Sequence, residues 1–457
     1  MEDLCVLIMA AGKGSRMKSA TPKVLQPILD KPIIDYVINN ALSAGLNPEN
    51  ICVLIGSGGE LVQAHLTKFF PDIKILFQSQ QLGTGHAVKS AREFWQNYKN
   101  LIVLNGDLPL MTPESLKNLI ANCNNHDCTV ITFIAENPGA YGRIIRINNQ
   151  VSIVEYKDAN PSQLDIKEVN AGCYAFRVKS LEKVIDLINN NNAQKEYYLP
   201  DALSLMNSQE MSTAAFTMSE NEMQGVNTQI ELANVSNILR RQIINHWLNN
   251  GVRILDPQTV YIGSDVKLAP DVVIMPNVQI WGNSEIHEFS YIGSGSVLNN
   301  AKLGKNVNLV AYVFIENSEL KDFSKAGPFC YIRDNSCLEN NSFAGKFVEL
   351  KNSHIGQNSK VPHLSYMGDA VLGHDVNIGG GSITCNYDGK HKNKTLIGDN
   401  CFIGSDTMFV APVEINQGAA TAAGSIITQD IPDNSLGIAR AKQVNIIDWS
   451  LRKKNNF

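Results

Sequence analysis

A row of aliphatic residues at every sixth position limits the folds that the second half of this chain can adopt. The row runs without a slip from Ile262 to Leu298, a parallel valine row runs from Val260 to Val278, and the spacing resumes from Ile397 to Ile427. Neither an α-helix, with a period of 3.6, nor a flat strand, with a period of 2, produces it. Hexapeptide repeats predict a parallel β-helix, a three-sided prism whose sixth-position side chains share one interior. We expect about ten coils of about 18 residues between 260 and 430.

The repeat is irregular in one part, and that part is where we expect chemistry in this half of the chain. The spacing slips from Leu298 to Leu303, and the row is broken between residues 316 and 396. Insertions in a solenoid form loops, which often carry the binding surface. The broken segment is therefore the predicted location of a site.

The first half has a different pattern, in which short β-rich runs alternate with longer segments of helical spacing. This alternation predicts an α/β domain with a mostly parallel sheet. The predicted buried strands are Leu4–Met9, Ile51–Ile55, Ile73–Phe77, Leu101–Leu104 and Thr129–Ile134. Ligands of such sheets bind beyond the carboxyl ends of the strands. Glycine-containing loops follow three of these ends, at residues 12–16, 56–59 and 106–107, and we expect a site among them.

A predicted helix joins the two halves. Apolar residues recur at spacings of three and four from Gln229 to Leu248, and Gly251 follows as a helix stop. We therefore predict an N-terminal domain at 1–228, a linker helix at 229–250 and a C-terminal domain at 251–457. The last nine residues, 449–457, form a basic tail that we expect to be frayed and solvated.

Composition excludes several classes of protein. With 18% charged and 44% hydrophobic residues, the 457-residue chain is globular rather than disordered. A net charge of −5 gives no general attraction to nucleic acid or to an anionic membrane, so neither is expected as a partner. The apolar stretch Leu4–Ala11 is too short to span a bilayer, which needs about 20 apolar residues. Nine scattered cysteines without a CxxC pair indicate reduced thiols, and we expect a soluble, cytoplasmic protein.

A small-residue loop after the first strand is a candidate phosphate site. The string Leu7–Met17 is followed by Pro22–Leu25, and Arg16 and Lys23 lie near the loop in sequence. Glycines let backbone N–H groups close on phosphate oxygens, and two cations can offset phosphate charge. The loop is not a Walker A motif, because GxxxxGK[ST] is absent, and it is not a dinucleotide fingerprint, because Met17 occupies the third glycine position. From its spacing alone, it could equally be a structural turn between strand and helix.

The complete string is more specific than its glycines, because it resembles the LxxGxGxRM…PKxL signature of sugar-nucleotide pyrophosphorylases. The resemblance continues through Gln78, residues 81–87, residues 105–107, residues 141–143, residues 154–155, Asn170 and residues 225–227. With the second half it covers nearly the whole chain, which is similar to a family of bifunctional bacterial enzymes. These combine an N-acetylglucosamine-1-phosphate uridyltransferase with a glucosamine-1-phosphate N-acetyltransferase. The resemblance implies an α/β nucleotidyltransferase (Rossmann-like) domain followed by a left-handed parallel β-helix of hexapeptide repeats.

The predicted nucleotidyl chemistry needs a cation, because a sugar phosphate and a nucleoside triphosphate bring several negative charges together. Asp107 can offer a carboxylate oxygen and Asn227 an amide oxygen, and Mg²⁺ takes few protein ligands. The resemblance implies that these two residues hold Mg²⁺. Without it, Asp107 could be a helix N-cap or an ordinary loop carboxylate.

The resemblance also assigns the other residues of the first site. Arg16 and Lys23 are our candidates for offsetting charge on the reacting phosphates. UTP and the UDP-sugar would be held by Met9, Ala10, Ala11, Gly12, Lys23, Gln78, Gly83, Thr84, Asn105, Gly106 and Asp107, and the sugar by Gly142, Glu155 and Asn170, with Asn227 completing the set. Asn105 stands where the family usually has tyrosine or threonine. A backbone contact would survive that change, whereas a side-chain contact would not.

In the second half, His363 is the candidate general base for acetyl transfer to an amine. Imidazole suits this role because its ordinary pKa lies near 6.5. By resemblance, Arg333 and Lys351 bind the phosphate of glucosamine 1-phosphate and Tyr366 and Asn377 its sugar. The residues assigned to acetyl-coenzyme A are Gly380, Asn386, Tyr387, Ser405, Ala423 and Arg440. Gly380 stands where the family commonly has alanine.

The leading hypothesis is thus a bifunctional enzyme that makes UDP-N-acetylglucosamine for cell-envelope precursors. Its substrates would be glucosamine 1-phosphate, acetyl-coenzyme A and UTP, and by resemblance it would be a homotrimer. A rival is a monofunctional sugar-nucleotide pyrophosphorylase whose β-helix is structural or regulatory. A third hypothesis, a non-catalytic scaffold or sugar-nucleotide sensor, does not account for a metal carboxylate beside the phosphate site.

Overall fold

The computed structural model describes residues 3–12, 14–56, 58–122, 124–147 and 150–454. The chain divides into two compact units, residues 1–239 and 240–457, and the boundary falls inside one long helix. Each unit has its own hydrophobic core.

A mixed nine-stranded sheet is the centre of the first unit, with the strand order β11-β7-β10-β6-β1-β4-β5; β8 pairs with β10, and β9 pairs with β8. A separate two-stranded ribbon consists of β2 and β3. The strands are β1 (Leu4–Ala10), β2 (Pro27–Ile28), β3 (Lys31–Pro32), β4 (Ile51–Gly56), β5 (Lys74–Gln78), β6 (Asn100–Asn105), β7 (Cys128–Ile134), β8 (Arg143–Ile147), β9 (Gln150–Val154), β10 (Glu168–Arg177) and β11 (Thr213–Met218).

The five predicted strands are confirmed as β1, β4, β5, β6 and β7, each within one residue at either end. β1 pairs in parallel with both β4 and β6, so the carboxyl ends of these three strands lie at one edge of the sheet. β10 is antiparallel to both β6 and β7, a feature that the sequence pattern does not predict.

Helices cover both faces of the sheet. Successive side chains of β1 therefore pack alternately into two hydrophobic cores. Val6 and Ile8 pack with helices α1, α2 and α5, whereas Cys5 and Leu7 pack with α3, α4, α7 and α8. The helices are α1 (Ile33–Ser43), α2 (Glu60–Phe69), α3 (Thr84–Ser90), α4 (Arg92–Trp95), α5 (Pro113–Asn122), α6 (Pro161–Leu164), α7 (Val178–Val184) and α8 (Asp201–Ser208), with 3₁₀ turns at Ser15–Met17, Lys23–Leu25 and Pro48–Asn50. Burial on both faces explains the nearly continuous apolar runs of β1, β4 and β6.

The predicted connecting helix is observed as α9, Gln229–Asn249. Its first half contributes Leu232 and Val235 to a small core of the first unit, behind the phosphate loop. Its second half contributes Ile244 to the core of the second unit. Gly251 follows the helix with a positive φ of 85°, the conformation that ends helices.

The second unit is a left-handed parallel β-helix with three faces, as predicted. Face A comprises Arg253–Ile254, Val273–Ile274, Tyr291–Ile292, Asn308–Leu309, Lys325–Ala326, Phe343–Lys346, Lys360–His363, Asn377–Ile378, Phe402–Ile403, Ala420–Thr421 and Leu436–Gly437. Face B comprises Tyr261–Ile262, Gln279–Trp281, Val297–Leu303, Val313–Leu320, Cys330–Arg333, Glu349–Lys351, Tyr366–Gly368, Ile383–Cys385, Met408–Val410 and Ile426–Ile427. Face C comprises Lys267–Leu268, Glu285–Ile286, the second halves of 297–303 and 313–320, Cys337–Leu338, His354–Ile355, Ala370–Leu372, Thr395–Ile397 and Val413–Ile415.

The sixth-position rows form the interior of the prism, where Ile262, Ile280 and Leu298 are completely buried. The break in the six-residue spacing between 316 and 396 is not a break in the prism, because buried residues continue through it at each coil. The pattern is hidden there because successive coils differ in length by one residue: Tyr331 pairs with Glu349, which in turn pairs with Tyr366. The insertion that does occur is residues 386–394, between the strands Ile383–Cys385 and Thr395–Ile397.

Three smaller features complete the fold. No helix in the described parts of the chain is both long and apolar enough to cross a membrane. The eight described cysteines are free thiols, and Cys123 lies outside the described residues. The tail that was expected to be frayed contains a short helix, α10 (Trp449–Lys454), and residues 455–457 lie outside the described residues.

Candidate active sites

The phosphate loop leaves the sheet at the end of β1 and is held by a contact from a second loop. The Gln81 side-chain amide donates a hydrogen bond to the Ala11 carbonyl at 2.5 Å. Gly56 lies against this contact, and a Cβ there would meet the Ala11 oxygen at 2.6 Å, so the close approach requires glycine. Met17, in the 3₁₀ turn that follows the loop, is buried and anchors its far end. Lys13, within the loop, lies outside the described residues.

Ten residues predicted to bind the nucleotide line one cavity of about 440 Å³ in the first unit. It lies beyond the carboxyl ends of β1 and β6, where ligands of parallel sheets bind. The predicted residues that line it are Met9, Ala10, Ala11, Gly12, Lys23, Gln78, Gly83, Thr84, Asn105 and Asp107. Val24, Gln81, Ala87 and Glu196 complete the lining and were not predicted as site residues. Gly106 does not line the cavity, but its backbone N–H donates to the Met9 carbonyl at 2.9 Å and so ties the two strand ends together.

At Lys23 and Asp107, which line this cavity, two further side chains converge from distant parts of the sequence. The Lys23 ammonium contacts the Asp107 carboxylate and donates to the Asn227 amide oxygen at 3.2 Å. The Arg16 guanidinium donates to that same Asn227 oxygen at 3.0 Å. Asp107 and Lys23 are only 17% and 14% exposed. The two predicted metal ligands and the two predicted phosphate cations therefore form one cluster.

The donor set of this cluster fits a hard divalent cation. Asp107 and Asn227 direct one oxygen each at the same cationic group, the Lys23 ammonium, so both oxygens already face one centre of positive charge. Carboxylate and amide oxygens are the ligands that Mg²⁺ prefers, and this ion completes its shell with water and phosphate oxygens.

The three predicted sugar residues form a second group in the first unit. The Asn170 backbone N–H donates to the Gly142 carbonyl at 2.9 Å, and the Asn170 amide donates to the Tyr174 hydroxyl at 2.9 Å. Gly142 lies directly beside Glu155, since a Cβ at Gly142 would lie 3.1 Å from a Glu155 carboxylate oxygen. The group thus combines amide and carboxyl groups, as hydroxyl recognition requires.

Glu155 has an unusual environment for a carboxylate. Burial, assisted by the negative charges of Asp201, Asp158 and Glu196, raises its pKa to about 7 from an ordinary 4.5. Glu196 also lines the nucleotide cavity, so the sugar group and the cavity share one electrostatic environment. Glu155 is therefore partly protonated at neutral pH before any sugar binds.

This raised pKa has a consequence for stability. Between pH 4.5 and 7 the folded state keeps the proton of Glu155 whereas the unfolded state loses it, so this residue makes stability fall as pH rises. We expect Glu155→Gln to raise the melting temperature near neutral pH and to flatten its decline over that interval. Glu168→Gln is the matched control with the opposite sign, because Arg146 and Thr132 hold the pKa of Glu168 below its ordinary value. Melting curves of the three proteins from pH 4.5 to 8 test this, and parallel curves for the parent and Glu155→Gln would contradict it.

Asn105, the departure from the family pattern, keeps a place in the site. Its side-chain amide donates to the Ala171 carbonyl at 3.3 Å while the residue still lines the nucleotide cavity. A side chain at Gly172 would collide with that amide, and Gly172 has a positive φ of 74°. Asn105 therefore connects the nucleotide cavity to the strand that carries Asn170.

In the second unit, the two predicted phosphate residues and one predicted sugar residue, Tyr366, lie on face B. Arg333 and Lys351 are register partners in adjacent coils, and Lys351 pairs in turn with Gly368. Arg333 donates two hydrogen bonds to Glu349, at 2.9 and 2.7 Å. The Lys351 ammonium lies 3.8 Å from Asp369. Two adjacent cations on one face are suited to a phosphomonoester.

Lys392 belongs to this cluster and was missed by the sequence analysis. It lies in the inserted loop, where its backbone forms an isolated antiparallel β-bridge with Tyr387. Its ammonium lies close enough to that of Lys351 to lower the pKa of Lys351. Lys392 therefore adds a third cation to a group that also contains the carboxylates Glu349 and Asp369. A Lys-, Asn- and His-rich loop looks like an ordinary solvated surface in sequence, so only its proximity to Lys351 could have identified Lys392.

Tyr366 and Asn386 lie side by side above Gly368. A side chain at Gly368 would collide with the Tyr366 hydroxyl and with the Asn386 amide, so the glycine opens the space that both occupy. Asn386 is buried and donates to Asp369 at 2.5 Å. Arg333, Lys351, Tyr366, Asn386 and Lys392 are called the face B cluster from here on.

His363 and four of the residues assigned to acetyl-coenzyme A lie along the edge between faces A and B. Gly380 packs on His363, since a Cβ at Gly380 would meet the His363 Cβ at 3.2 Å. Ser405 follows one coil later, its carbonyl accepts a hydrogen bond from Gly424 at 2.8 Å, and Arg440 donates to the Ala423 carbonyl at 3.0 Å. His363, Gly380, Ser405, Ala423 and Arg440 are called the edge row. The first four occupy equivalent positions in successive coils, with His363 at one end, and Arg440 lies one residue beyond the next equivalent position.

No hydrogen bond or ion pair between described residues joins the face B cluster to the edge row. Asn377 lies on face A, between the strands of Lys360 and Phe402, and Tyr387 is exposed and hydrogen-bonds only within the inserted loop. Within one chain, therefore, the predicted base His363 and the predicted phosphate cations belong to two separate groups.

Comparison with known proteins identifies the family. Residues 6–149 match the model of the MobA-like NTP transferase domain. The bifunctional protein GlmU of Thermosipho africanus is 44% identical over 450 residues, which cover 98% of this chain and 97% of that protein. The GlmU proteins of Thermosipho melanesiensis and Clostridium perfringens are 45% and 41% identical over 98% of this chain. The chain belongs to the GlmU family.

Membership of the GlmU family confirms the resemblance seen in the sequence motifs. It also confirms that the chain is a bifunctional transferase with a nucleotidyltransferase domain, and nucleotidyl transfer of this class uses a metal ion. The similarity extends over both units, so it includes the cavity of the first unit and both groups of the second. The roles assigned to single residues stay predictions.

Proposed function

We propose that this protein acetylates glucosamine 1-phosphate with acetyl-coenzyme A in its second unit. In its first unit it then joins N-acetylglucosamine 1-phosphate to UTP, which gives UDP-N-acetylglucosamine and pyrophosphate. The observation that supports this most strongly is the 44% identity with a bifunctional GlmU over 98% of the chain. The product would serve cell-envelope precursor synthesis in the cytoplasm.

In the first unit, the sugar phosphate oxygen attacks the α-phosphorus of UTP, and the bond to the bridging oxygen breaks as pyrophosphate leaves. Lys23 and Arg16 donate hydrogen bonds to the phosphates and offset their charge. Asp107 and Asn227 would hold Mg²⁺, which when bound neutralises charge on the triphosphate. Glu155, Asn170 and the backbone at Gly142 hold the sugar hydroxyl groups.

In the second unit, the amine nitrogen of glucosamine 1-phosphate attacks the acetyl carbonyl carbon, and the carbon–sulfur bond breaks as the coenzyme thiolate leaves. His363 takes a proton from the nitrogen. Arg333 and Lys351, with Lys392, hold the phosphate of the sugar, and Tyr366 and Asn377 contact its ring. Gly380, Asn386, Tyr387, Ser405, Ala423 and Arg440 bind the coenzyme.

An assay with one component omitted at a time tests both activities. The protein is incubated with glucosamine 1-phosphate, acetyl-coenzyme A, UTP and Mg²⁺, and the products are identified by mass. Without acetyl-coenzyme A no N-acetylated sugar should form, and without UTP the acetylated sugar phosphate should accumulate. UDP-sugar formation that needs supplied N-acetylglucosamine 1-phosphate, with no acetylation, would instead favour the monofunctional pyrophosphorylase.

We further propose a homotrimer, in which the edge row of one subunit completes the acetyl-transfer site with the face B cluster of its neighbour. The absence of a hydrogen bond or ion pair between the two groups, among the described residues of one chain, supports this arrangement. Light scattering should give three times the 50.2 kDa of one chain. Co-expressed His363→Ala and Lys351→Ala chains, each inactive alone, should recover part of the acetyl-transfer rate, because some mixed sites contain both parental residues. A monomer mass with full acetyl transfer, or no recovery in mixed trimers, would contradict the proposal.

A further inference from the structure

Face C of the prism carries a cluster of metal-binding side chains that neither proposed activity uses. Cys337 and His354 are register partners in adjacent coils, so their side chains are neighbours on the outer surface. Glu339 lies two residues after Cys337 and therefore points to the same side of its strand. Among the residues that the structure describes, these three form the one group of three or more His, Cys, Asp or Glu side chains whose ligand atoms all lie within 4.8 Å of one another.

The distances in this cluster match the edges of a tetrahedral site. The Cys337 sulfur lies 3.8 Å from a Glu339 carboxylate oxygen, and the His354 Nε2 lies 3.6 Å from the same oxygen. Around a tetrahedral Zn²⁺, with bonds of about 2.0–2.3 Å, sulfur, nitrogen and oxygen ligands lie roughly 3.4–3.6 Å apart. The Glu339 oxygen is thus within a few tenths of an ångström of the tetrahedral spacing to both other ligand atoms, and all three ligand atoms lie within 4.8 Å of one another.

The cluster contains a carboxylate that already faces a cation, and it is open to solvent. The Lys321 ammonium already donates to this Glu339 oxygen at 2.8 Å, which shows that a positive charge is attracted to this position. In the next coil, Gly356 stands at the position equivalent to Glu339, and the strand packing there excludes a side chain. Glu339 is 25% exposed and His354 44%, so an ion can enter from solvent.

We propose that Cys337, Glu339 and His354 form a binding site for a borderline divalent cation, Zn²⁺, with water as its fourth ligand. One sulfur, one imidazole and one carboxylate are a zinc donor set, whereas Mg²⁺ and Ca²⁺ prefer oxygen ligands alone. Binding connects two adjacent coils of the prism.

Zinc binding releases one proton, from the Cys337 thiol, and displaces one cation, the Lys321 ammonium. Cys337 is a free thiol before the metal binds. Its proton passes to solvent as the sulfur–zinc bond forms, and the ion loses water ligands. The Lys321 ammonium moves away from Glu339, so Lys321 competes with the metal.

Cobalt titration of the full-length protein, reduced with a phosphine, tests the site. Co²⁺ bound by a thiolate gives a charge-transfer band, which distinguishes this site from any oxygen-only site in the first unit. We expect one equivalent of Co²⁺ per chain with this band, and displacement by Zn²⁺. Competition with a chromophoric chelator then gives the zinc affinity.

Variants separate the site from adventitious binding. Cys337→Ser and His354→Gln should weaken zinc binding by more than about 100-fold, since even outer partners of metal ligands are worth 10–100-fold. Lys321→Met should tighten it, because the competing ammonium is gone. Cys385→Ser removes an exposed thiol elsewhere, and His287→Gln removes a half-exposed histidine beside Glu285, so both should bind as the parent does. Absence of the cobalt band in the parent, its persistence in Cys337→Ser, or its loss in Cys385→Ser would overturn the proposal.

Discussion

Replacing His363 by alanine is expected to slow acetyl transfer by about 10²–10⁴-fold, the range typical for loss of a general base. Uridylyl transfer should remain at the parental rate, because its candidate residues belong to the other unit. The His363 side chain is exposed, and its ring has no hydrogen-bond partner in the part of the chain that the structure describes. Its removal therefore breaks no internal bond, and the melting temperature should stay close to that of the parent.

The test of His363 measures both turnover rates and the melting temperature on one preparation. In the parent, acetyl transfer should rise with pH along an acid limb, and this limb should disappear in His363→Ala. His287→Ala is the matched control, since it removes another exposed histidine of the prism. Acetyl transfer at the parental rate in His363→Ala, per folded molecule, would exclude His363 as the base.

Asp107→Asn is expected to slow UDP-sugar formation by about 10²–10³-fold, the usual effect of removing one preorganised charge partner from a reacting centre. The substitution keeps the shape of the side chain but removes the carboxylate that faces Lys23 and would hold the metal. More Mg²⁺ should then be needed to reach half of the remaining rate. Acetyl transfer should not change.

Asp186→Asn is the control for Asp107, because Asp186 is a half-exposed carboxylate that pairs with Lys89 and Arg92 on the surface of the same unit. The Asp186→Asn protein should carry out both reactions at parental rates. Equal loss of both activities in an Asp107→Asn protein that melts at the parental temperature would contradict separate sites. An unchanged dependence on Mg²⁺ would contradict the metal role.

The sequence predicts the prism better than the sheet, for a physical reason. Every coil places the same positions against the same interior, so Ile262, Ile280 and Leu298 repeat one environment and reveal it. The period becomes harder to see where alanine fills the interior, as at Ala326 and Ala344, and where coils shorten by one residue. The antiparallel direction of β10 leaves no such trace, because a strand buried on both faces has the same composition in either direction.

The candidate sites likewise contain some residues that could be predicted from the sequence and some that could not. Lys23, Asp107 and Asn227 are far apart in sequence, and only the resemblance placed them in one site, which the fold then brings together. Glu196 and Lys392 were missed because each lies in a polar loop whose composition indicates only solvent exposure. Local pattern identifies residues on buried strands, whereas loop residues acquire a role only from what folds against them.

The position of α9 determines where this gene can be divided. Leu232 and Val235, in the first half of that helix, cover Met17, Ile28 and Ile33, the apolar residues behind the phosphate loop. A truncated first unit that stops at 228, where the motifs end, would leave this small core open to water and the loop without its support. An expression clone of the nucleotidyltransferase half must therefore extend past Leu239, with a few further residues because an isolated helix end of one or two turns is unstable in water.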